Sequence, residues 1–459
     1  MILGAGLAGL TLGEDLVRRG REVVVLEKLD QVGGLARTVR HKGFGFDLGG
    51  HRFHSKSCPP LDWLRSLMGE ELLSVPRKSK ILHEGHFINY PLELKDALSQ
   101  FGFSRAFGAG VSYFWNRCSS SRTWAAQNFE NKIVSRFGRQ LYDVYFRPYT
   151  EKVWGMACRD LSAEWANERI AIPTLGKAIA RSFSSRGAAK SRSGTKFMYP
   201  VHGIGSVSER LAERINASGR SRVVTAVGSI KLSTTSEGAE VRLACDHKEE
   251  TVPCERIVSS IPLHELMKTI CDDAEAEKTA VSNLSYRDLI CVFITLRRKS
   301  MTDNTWIYTP DHEIIFGRLH EPGNWSSQLV PTDDMCSVCA EVFCTAGDEV
   351  WSLPDEEIQR RVIDDLVGTG LARQNDVADI WIERVKWAYP IFQCGYEKPL
   401  RDFTEAVGRR PRLHLLGRTG SFRYLNMDAV ISDALEKSQY LSELPAEAVN
   451  TQLCQNPRP

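Results

Sequence analysis

The sequence predicts an α/β protein in which a discontinuous, Rossmann-like dinucleotide-binding domain is interrupted by a helical insertion and an antiparallel-sheet domain. Three observations predict it. The chain opens on a short apolar strand, a GxGxxG turn, a helix and a second apolar strand ending in an acid. Near its other end the same order returns: strand, glycine turn, helix. Between the two ends lie a stretch rich in helical periodicity and aromatics, then a series of short alternating runs.

The opening elements carry the strongest pattern. Ile2 and Leu3 read as the end of a strand. Gly4, Gly6 and Gly9 form the GxGxxG, with Leu7 and Ala8 inside it. Residues 7–19 have helical periodicity, Gly20 closes the helix, and EVVVLEK is a buried strand ending in Glu27 and Lys28. The glycines permit a tight turn and the close approach of a pyrophosphate, whose charge meets the helix N-terminus. Glu27 stands where an acid grips a ribose hydroxyl. A second glycine pair, Gly33 and Gly34, leads through Leu35 and Ala36 to Arg37, which suits either a phosphate or an exposed strand edge.

The short strand GFGFDLGG then runs into HRFHSK, which sets His51 and His54 at HxxH spacing behind Gly49 and Gly50. Three readings fit this stretch: a metal pair, an acid/base pair, or the wall of a cofactor pocket. A metal needs a third ligand, and no supporting cluster stands nearby in the sequence. Glycine lets backbone approach a flat ring closely. Imidazole titrates near neutrality, so acid/base work by either histidine stays open beside simple packing.

Residues 59–189 read mostly helical, with aromatic runs such as SYFWNRC and RQLYDVYFRPYTEKVWG. Residues 181–196 are small, polar and basic, a mobile loop that serves as a solvated linker or as a lid meeting an anionic substrate. FMYPVHGIGSVSERLAERI gives a glycine turn into an amphipathic helix. RVVTAVGSIKL and RIVSSIPLHEL read as strands with a hairpin region between them. LICVFITL, WIYTP, EIIFGRL and CSVCAEVF continue as an antiparallel series. RLHLLGRTGSFRYLNMDAVISDALEKSQYL closes the chain's order, and the last residues have little to fold around.

Composition bounds the function. At 459 residues the chain holds two or three packed units, and 42% apolar with 25% charged residues is ordinary for a soluble globular protein. A net charge of +2 gives no bulk argument for nucleic acid. No run approaches the roughly 18 apolar residues of a membrane span. The apolar start runs straight into the glycine turn, unlike a signal peptide, so the cytoplasm is the default location. The 12 cysteines are scattered and read as reduced thiols. Cys336 and Cys339, the close pair, lie in a strand pattern that turns them to opposite faces.

The opening fingerprint, GGLARTV, DLGGHRFHSK, YTEKVWG and GRTGSFRYLNMDAVISDAL together resemble the flavin-dependent UDP-galactopyranose mutases, a branch of the amine oxidase and protoporphyrinogen oxidase superfamily. The resemblance spans nearly the whole chain, more loosely in the central sheet. It implies an FAD-binding domain from residues 1–58, 196–265 and 405–445, a helical insertion over 59–195, an antiparallel-sheet substrate domain over 266–404 and a tail over 446–459. It implies non-covalent FAD with its diphosphate over Gly4 to Gly9 and its adenosine ribose on Glu27. Val227 would pack near the adenine. Gly417, Arg418, Asn426, Met427 and Asp428 would run past the flavin, beside Gly49, Gly50, His51 and His54.

The activity implied is a redox-neutral one on a small molecule, a nucleotide sugar. N5 of reduced flavin attacks the anomeric carbon as UDP leaves, the sugar ring opens and recloses between pyranose and furanose, and UDP returns. NAD(P)H is a candidate external reductant. Arginines suit a departing diphosphate, and Arg169 and Arg318 loosely match the family's pair. Trp154 resembles its substrate-site tryptophan, and Tyr389, Tyr396 and Tyr424 its tyrosines near the phosphates. Arg52 departs from the apolar residue usual between the two histidines, and Pro148 also departs from the pattern. The alternative activity is an FAD-dependent oxidase or desaturase, which needs an apolar tunnel or aromatic cage in place of paired arginines.

Overall fold

A computed structural model describes residues 1–54, 58–90, 127–169, 196–235, 238–245, 248–270 and 275–444. Five short parallel strands, drawn from distant parts of the chain, form one sheet in the order Arg222–Val224, Val24–Leu26, Ile2–Leu3, Ile257–Ser259, Leu413–Leu415. Parallel strands are buried on both faces, which is why they read as continuous apolar runs. The helix Leu7–Arg18 lies buried along most of its length, between the helices Gly205–Ala217 and Met427–Glu443. The glycine turn expected after Leu3 therefore opens a helix, as the spacing predicts.

A second sheet has seven strands in the order Val377–Pro390, Tyr286–Leu296, Cys336–Cys344, Arg318–His320, Trp306–Tyr308, Ser79–His83, His86–Tyr90. It is antiparallel as expected, except that Trp306–Tyr308 pairs in parallel with Ser79–His83. Tyr286–Leu296 is buried at every position because both faces are covered. Leu289, Cys291 and Phe293 face the core that holds Phe46 and Trp154, while Ile290, Val292 and Ile294 face the core of the helix Asp355–Gly368. The same alternation puts Cys336 and Cys339 into different cores, on opposite faces of their strand. Ser229–Thr234, Ala239–Cys245 and Lys248–Cys254 form the expected hairpin region as a three-stranded sheet.

One expectation needs correction. The stretch from residue 59 is not uniformly helical: after the helix Pro59–Met68 come the strands Leu72–Pro76, Ser79–His83 and His86–Tyr90. The hairpin turn at Glu84 and Gly85 has positive φ at both residues, a primed turn whose signal is weak without Asn or Asp. Further on, Phe129–Phe137, Arg147–Trp154 and Ala163–Arg169 are helices. SYFWNRC, residues 181–195 of the basic loop, Lys56 and the expected tail lie outside the described residues. Among the described residues no helix is long and apolar enough to cross a membrane.

Candidate active site

The glycine turn separates packing from space. A Cβ at Gly9 would stand 2.0 Å from the Gly4 carbonyl oxygen, so this glycine is required by the turn itself. A Cβ at Gly6 would meet nothing nearer than 3.9 Å, on Gly33 and Gly34. Space is left at Gly6, beside the free N–H groups of a helix N-terminus. The Glu27 carboxylate is buried below the turn. It accepts from the Ala5 N–H at 2.8 Å and the Leu29 N–H at 3.0 Å, leaving lone pairs on each oxygen.

Other expected cofactor residues stand around this turn. The Val227 N–H donates to the Glu27 carbonyl at 2.9 Å, which places it beside the acid. Gly34, Leu35 and Ala36 form one 3-10 turn, and Arg37 donates to the Gly34 carbonyl at 3.1 Å while Glu383 stands 3.5 Å from its guanidinium. Lys28 points outward, 3.7 Å from Glu265. Gly417 has φ +76 and its absent Cβ would stand 2.7 Å from that of Ala8, so the two glycine turns touch. Asn426 stands at the N-cap position of the helix Met427–Glu443 without a side-chain capping bond, and Met427 and Asp428 lie in its first turn.

The second glycine pair is tight for a different reason from the one the sequence suggests. A Cβ at Gly50 would fall 1.9 Å from the Trp306 ring, so the flat ring pressed on Gly50 is an indole of this chain. Gly49, at φ +82, packs on the carboxylate of Glu341. Asp47 just before it accepts from Thr38 Oγ1 at 2.7 Å, Tyr199 Oη at 2.6 Å and the Ile204 N–H at 3.2 Å, which ties the loop down. Burial nonetheless pushes the Asp47 carboxyl up to about 6.

His51 follows this anchored turn. Burial, then the charge of Arg418, hold its imidazole down to about 4, with Arg318 adding to the effect. The ring is therefore neutral at pH 7, and Nδ1 donates to the Gly49 carbonyl at 3.3 Å, leaving Nε2 as an acceptor. His54 ends the short strand Phe53–His54; its side chain lies outside the described residues, as does that of Arg169.

Three strands build the opposite wall. Arg318 and Glu341 pair in register on neighbouring strands and form a buried ion pair. The Tyr389 hydroxyl accepts from Arg318 Nη2 at 2.6 Å. A bulge between Arg287 and Leu289 in the strand opposite Tyr389 re-aims this stretch, and Trp387 takes a left-handed φ of 62° there. Burial works against the Arg318 charge, but Glu341 and Tyr389 outweigh it and hold the guanidinium well above its ordinary value. Its Nε has no hydrogen-bond partner.

Arg418 comes from the second glycine turn. Its guanidinium carbon stands 4.8 Å from the Tyr389 ring and 4.4 Å from the Tyr424 ring, and those rings are near-parallel at 6.4 Å. Nη1 donates to the Leu425 carbonyl at 3.3 Å; Nε and Nη2 are buried without a partner. Buried N–H groups left unmatched on two neighbouring arginines fit an acceptor-rich ligand.

Trp154 closes the site. It stands edge-on to Trp165 at 4.4 Å and to Tyr389 at 6.1 Å. Its helix is fastened by Lys152, whose ammonium donates to the carbonyls of Thr309, Asp311 and Phe316 at 2.7–2.9 Å. Arg287 grips the helix end through the Val153 carbonyl at 2.8 Å. Tyr396 stands apart: its hydroxyl donates to Glu164 at 2.6 Å, and its ring stacks on Phe392 rather than joining the arginines.

The structure thus brings His51, Arg318, Arg418, Tyr389, Tyr424 and Trp154 together. Sequence reasoning missed Glu341, Trp306, His320 and Trp165. A lone acid in the apolar strand CSVCAEVFC was a signal for Glu341, since a charge there needs a buried partner.

Residues 7–440 match the family model described as flavin containing amine oxidoreductase. A probable UDP-galactopyranose mutase of Klebsiella pneumoniae is 24% identical over 166 residues, 36% of this chain and 42% of that protein. The chain therefore spans less than half the length of the curated relatives it matches. The crystal structure of a reduced UDP-galactopyranose mutase superposes with a TM-score of 0.80 at 20% identity, covering 96% of this chain and 93% of that one. A putative protoporphyrinogen oxidase from Exiguobacterium sp. 255-15 gives 0.72 at 17% identity, covering 96% and 98%. The space at Gly6 and the Glu27 lone pairs fit a flavin dinucleotide.

Proposed function

The chain belongs to the flavin-containing amine oxidoreductase family, and from that premise we propose that it is a flavoenzyme of the nucleotide-sugar mutase kind. Its substrate is a sugar nucleotide whose ring it interconverts between pyranose and furanose, with FAD held non-covalently over Gly4 to Gly9, Glu27 and the Gly417 turn. The observation that carries this reading is the pair of arginines. Arg318 and Arg418 present buried, unmatched N–H groups beside Tyr389 and Tyr424. A departing diphosphate meets such groups, whereas a cationic amine is repelled by them.

Held over Gly4 to Gly9, Glu27 and the Gly417 turn, a reduced flavin would supply the site with a nucleophilic ring nitrogen. This chain's residues do the rest. Arg418, held against two tyrosine rings, and the Nε of Arg318 hold the diphosphate close enough to return. Trp154 gives the sugar an aromatic wall, and His51 Nε2 offers an acceptor to a hydroxyl proton. The fit with a reduced mutase over 96% of the chain supports the arrangement.

The test is UDP binding. UDP added to the purified flavoprotein should perturb the flavin absorbance saturably, and Arg418→Ala should abolish the perturbation while the protein stays yellow. Equal UDP affinity in the variant contradicts the reading. A second reading, oxidation of an uncharged small molecule, is favoured by one observation: the Arg318 charge is already met by Glu341. Substrates that bleach oxidised flavin would support it.

A further inference from the structure

We propose that Glu341 is a positioning residue that sets the charge of the site, cancelling Arg318 so that Arg418 carries the net positive charge presented to a bound flavin and an anionic ligand. The inference rests on the reading above insofar as the flavin lies by the Gly49–His51 turn.

Glu341 is wholly buried and joins three elements at once. One oxygen accepts from the Gly50 N–H at 3.3 Å, the other pairs with Arg318, and His320 Nδ1 stands 3.8 Å away. The absent Cβ of Gly49 would stand 3.1 Å from it, so the carboxylate presses on the turn that carries His51. A buried ion pair is a poor stabiliser, because desolvation of both charges offsets their attraction and apolar residues of similar size pack as well. What this pair supplies that apolar residues do not is a fixed guanidinium with its charge cancelled.

Arg318 is held on all sides by the carboxylate, the Tyr389 hydroxyl and the faces of Trp306 and Phe343 at 5.4 and 4.9 Å. Arg418 is held as firmly by rings, yet among the described residues it has no carboxylate within 4.0 Å, the limit for an ion pair. Of these three side chains, two cations and one anion leave one net positive charge. Arg418 is half-buried, so its charge is less screened than in water and acts on an electron or anion that enters the site. Without Glu341 the site would carry two, and would hold a diphosphate too tightly to exchange it.

A charge-balanced set of variants tests this, read out on the flavin midpoint potential and on UDP affinity. Glu341→Gln keeps the shape and the acceptor; it should move the potential positive and tighten UDP by about tenfold or more. Arg318→Gln should move the potential negative and weaken UDP. The double variant restores the net charge and should return the potential close to that of the parent. A purely structural role would instead weaken flavin and UDP binding in both single variants. Potentials that are equal across the set, or single variants that shift the same way, overturn the proposal. Should Glu341→Gln fail to fold, the double variant must still lie positive of Arg318→Gln alone, and a double variant at or below it overturns the proposal. Failure of UDP to bind the parent protein sinks the mutase reading, while the potentials still judge Glu341.

Discussion

The guanidinium of Arg418 stacks on the ring of Tyr424, with 4.4 Å from its carbon to the ring centroid, and the two residues come from the same turn after the strand Leu413–Leu415. A cation–π contact between half-buried groups of this kind contributes about 1–2 kcal/mol. The ring therefore fixes an arginine that forms no ion pair among the described residues. Tyr424→Leu should weaken UDP binding by roughly tenfold or more with the flavin retained, and Tyr424→Phe should stay within about threefold. Flavin difference titration with UDP checks both. Equal losses in the two variants would point to the hydroxyl instead of the ring.

The glycine turn predicts a split between folding and flavin retention. Gly9→Ala drives a methyl group into the Gly4 carbonyl and should lower Tm and soluble yield. Gly6→Ala meets no protein atom within 3.9 Å, so the chain should fold with unchanged far-UV circular dichroism while its flavin content falls sharply. A fully yellow Gly6→Ala protein would remove the pyrophosphate from this turn.

The pH behaviour of His51 follows from its surroundings. Burial and the charge of Arg418 bring it from 6.5 to about 4, so the native state binds fewer protons than the unfolded chain between those values. Stability from this group is present above pH 6.5 and is lost as pH falls through about 4. His320, held to about 3 by burial first and Arg318 second, acts in the same direction. Ring-nitrogen NMR should show His51 neutral from pH 8 down to 5, with the proton on Nδ1. A His51 signal titrating near 6.5 would mean that the site is wetter, or less positive, than the arginines imply.

Lys152 donates to three backbone carbonyls in the loop leading to Arg318; Phe316 also accepts from Thr309 Oγ1 and Asp311 from the Ile314 N–H, which leaves the Thr309 carbonyl to the ammonium. Lys152→Met keeps the stem and removes the ammonium, leaving the buried Thr309 carbonyl unsatisfied at about 1–3 kcal/mol. Thermal unfolding should show a clear loss of Tm. Tryptophan fluorescence should report the release of Trp154, and an unchanged spectrum would separate Lys152 from the site.

Much of this was legible from residue types. The βαβ opening and the closing glycine turn each carry strand, turn and helix in a fixed order, because the backbone geometry at a pyrophosphate admits few alternatives. Gly50 shows where such reading ends. A missing Cβ says that something flat comes close, but only the fold shows that Trp306, more than two hundred positions away, already fills that place. The hairpin Ser79–His83 with His86–Tyr90 was hidden for a similar reason. Its pairing partner is Trp306–Tyr308, and local propensity is silent about a strand completed by a distant one. Glu341 was invisible as a site residue because its partner Arg318 is set opposite it by sheet register, not by spacing.

Ring isomerisation of a nucleotide sugar without net redox change is open to direct test. The most direct measurement is to reduce the purified flavoprotein anaerobically, add UDP-galactopyranose, and follow the sugar products by chromatography alongside the flavin spectrum. The account predicts UDP-galactofuranose at equilibrium with the flavin still reduced at the end of the reaction. No isomer from a reduced, UDP-binding protein, together with a small molecule that bleaches its oxidised flavin, would contradict it and make the chain a net oxidoreductase.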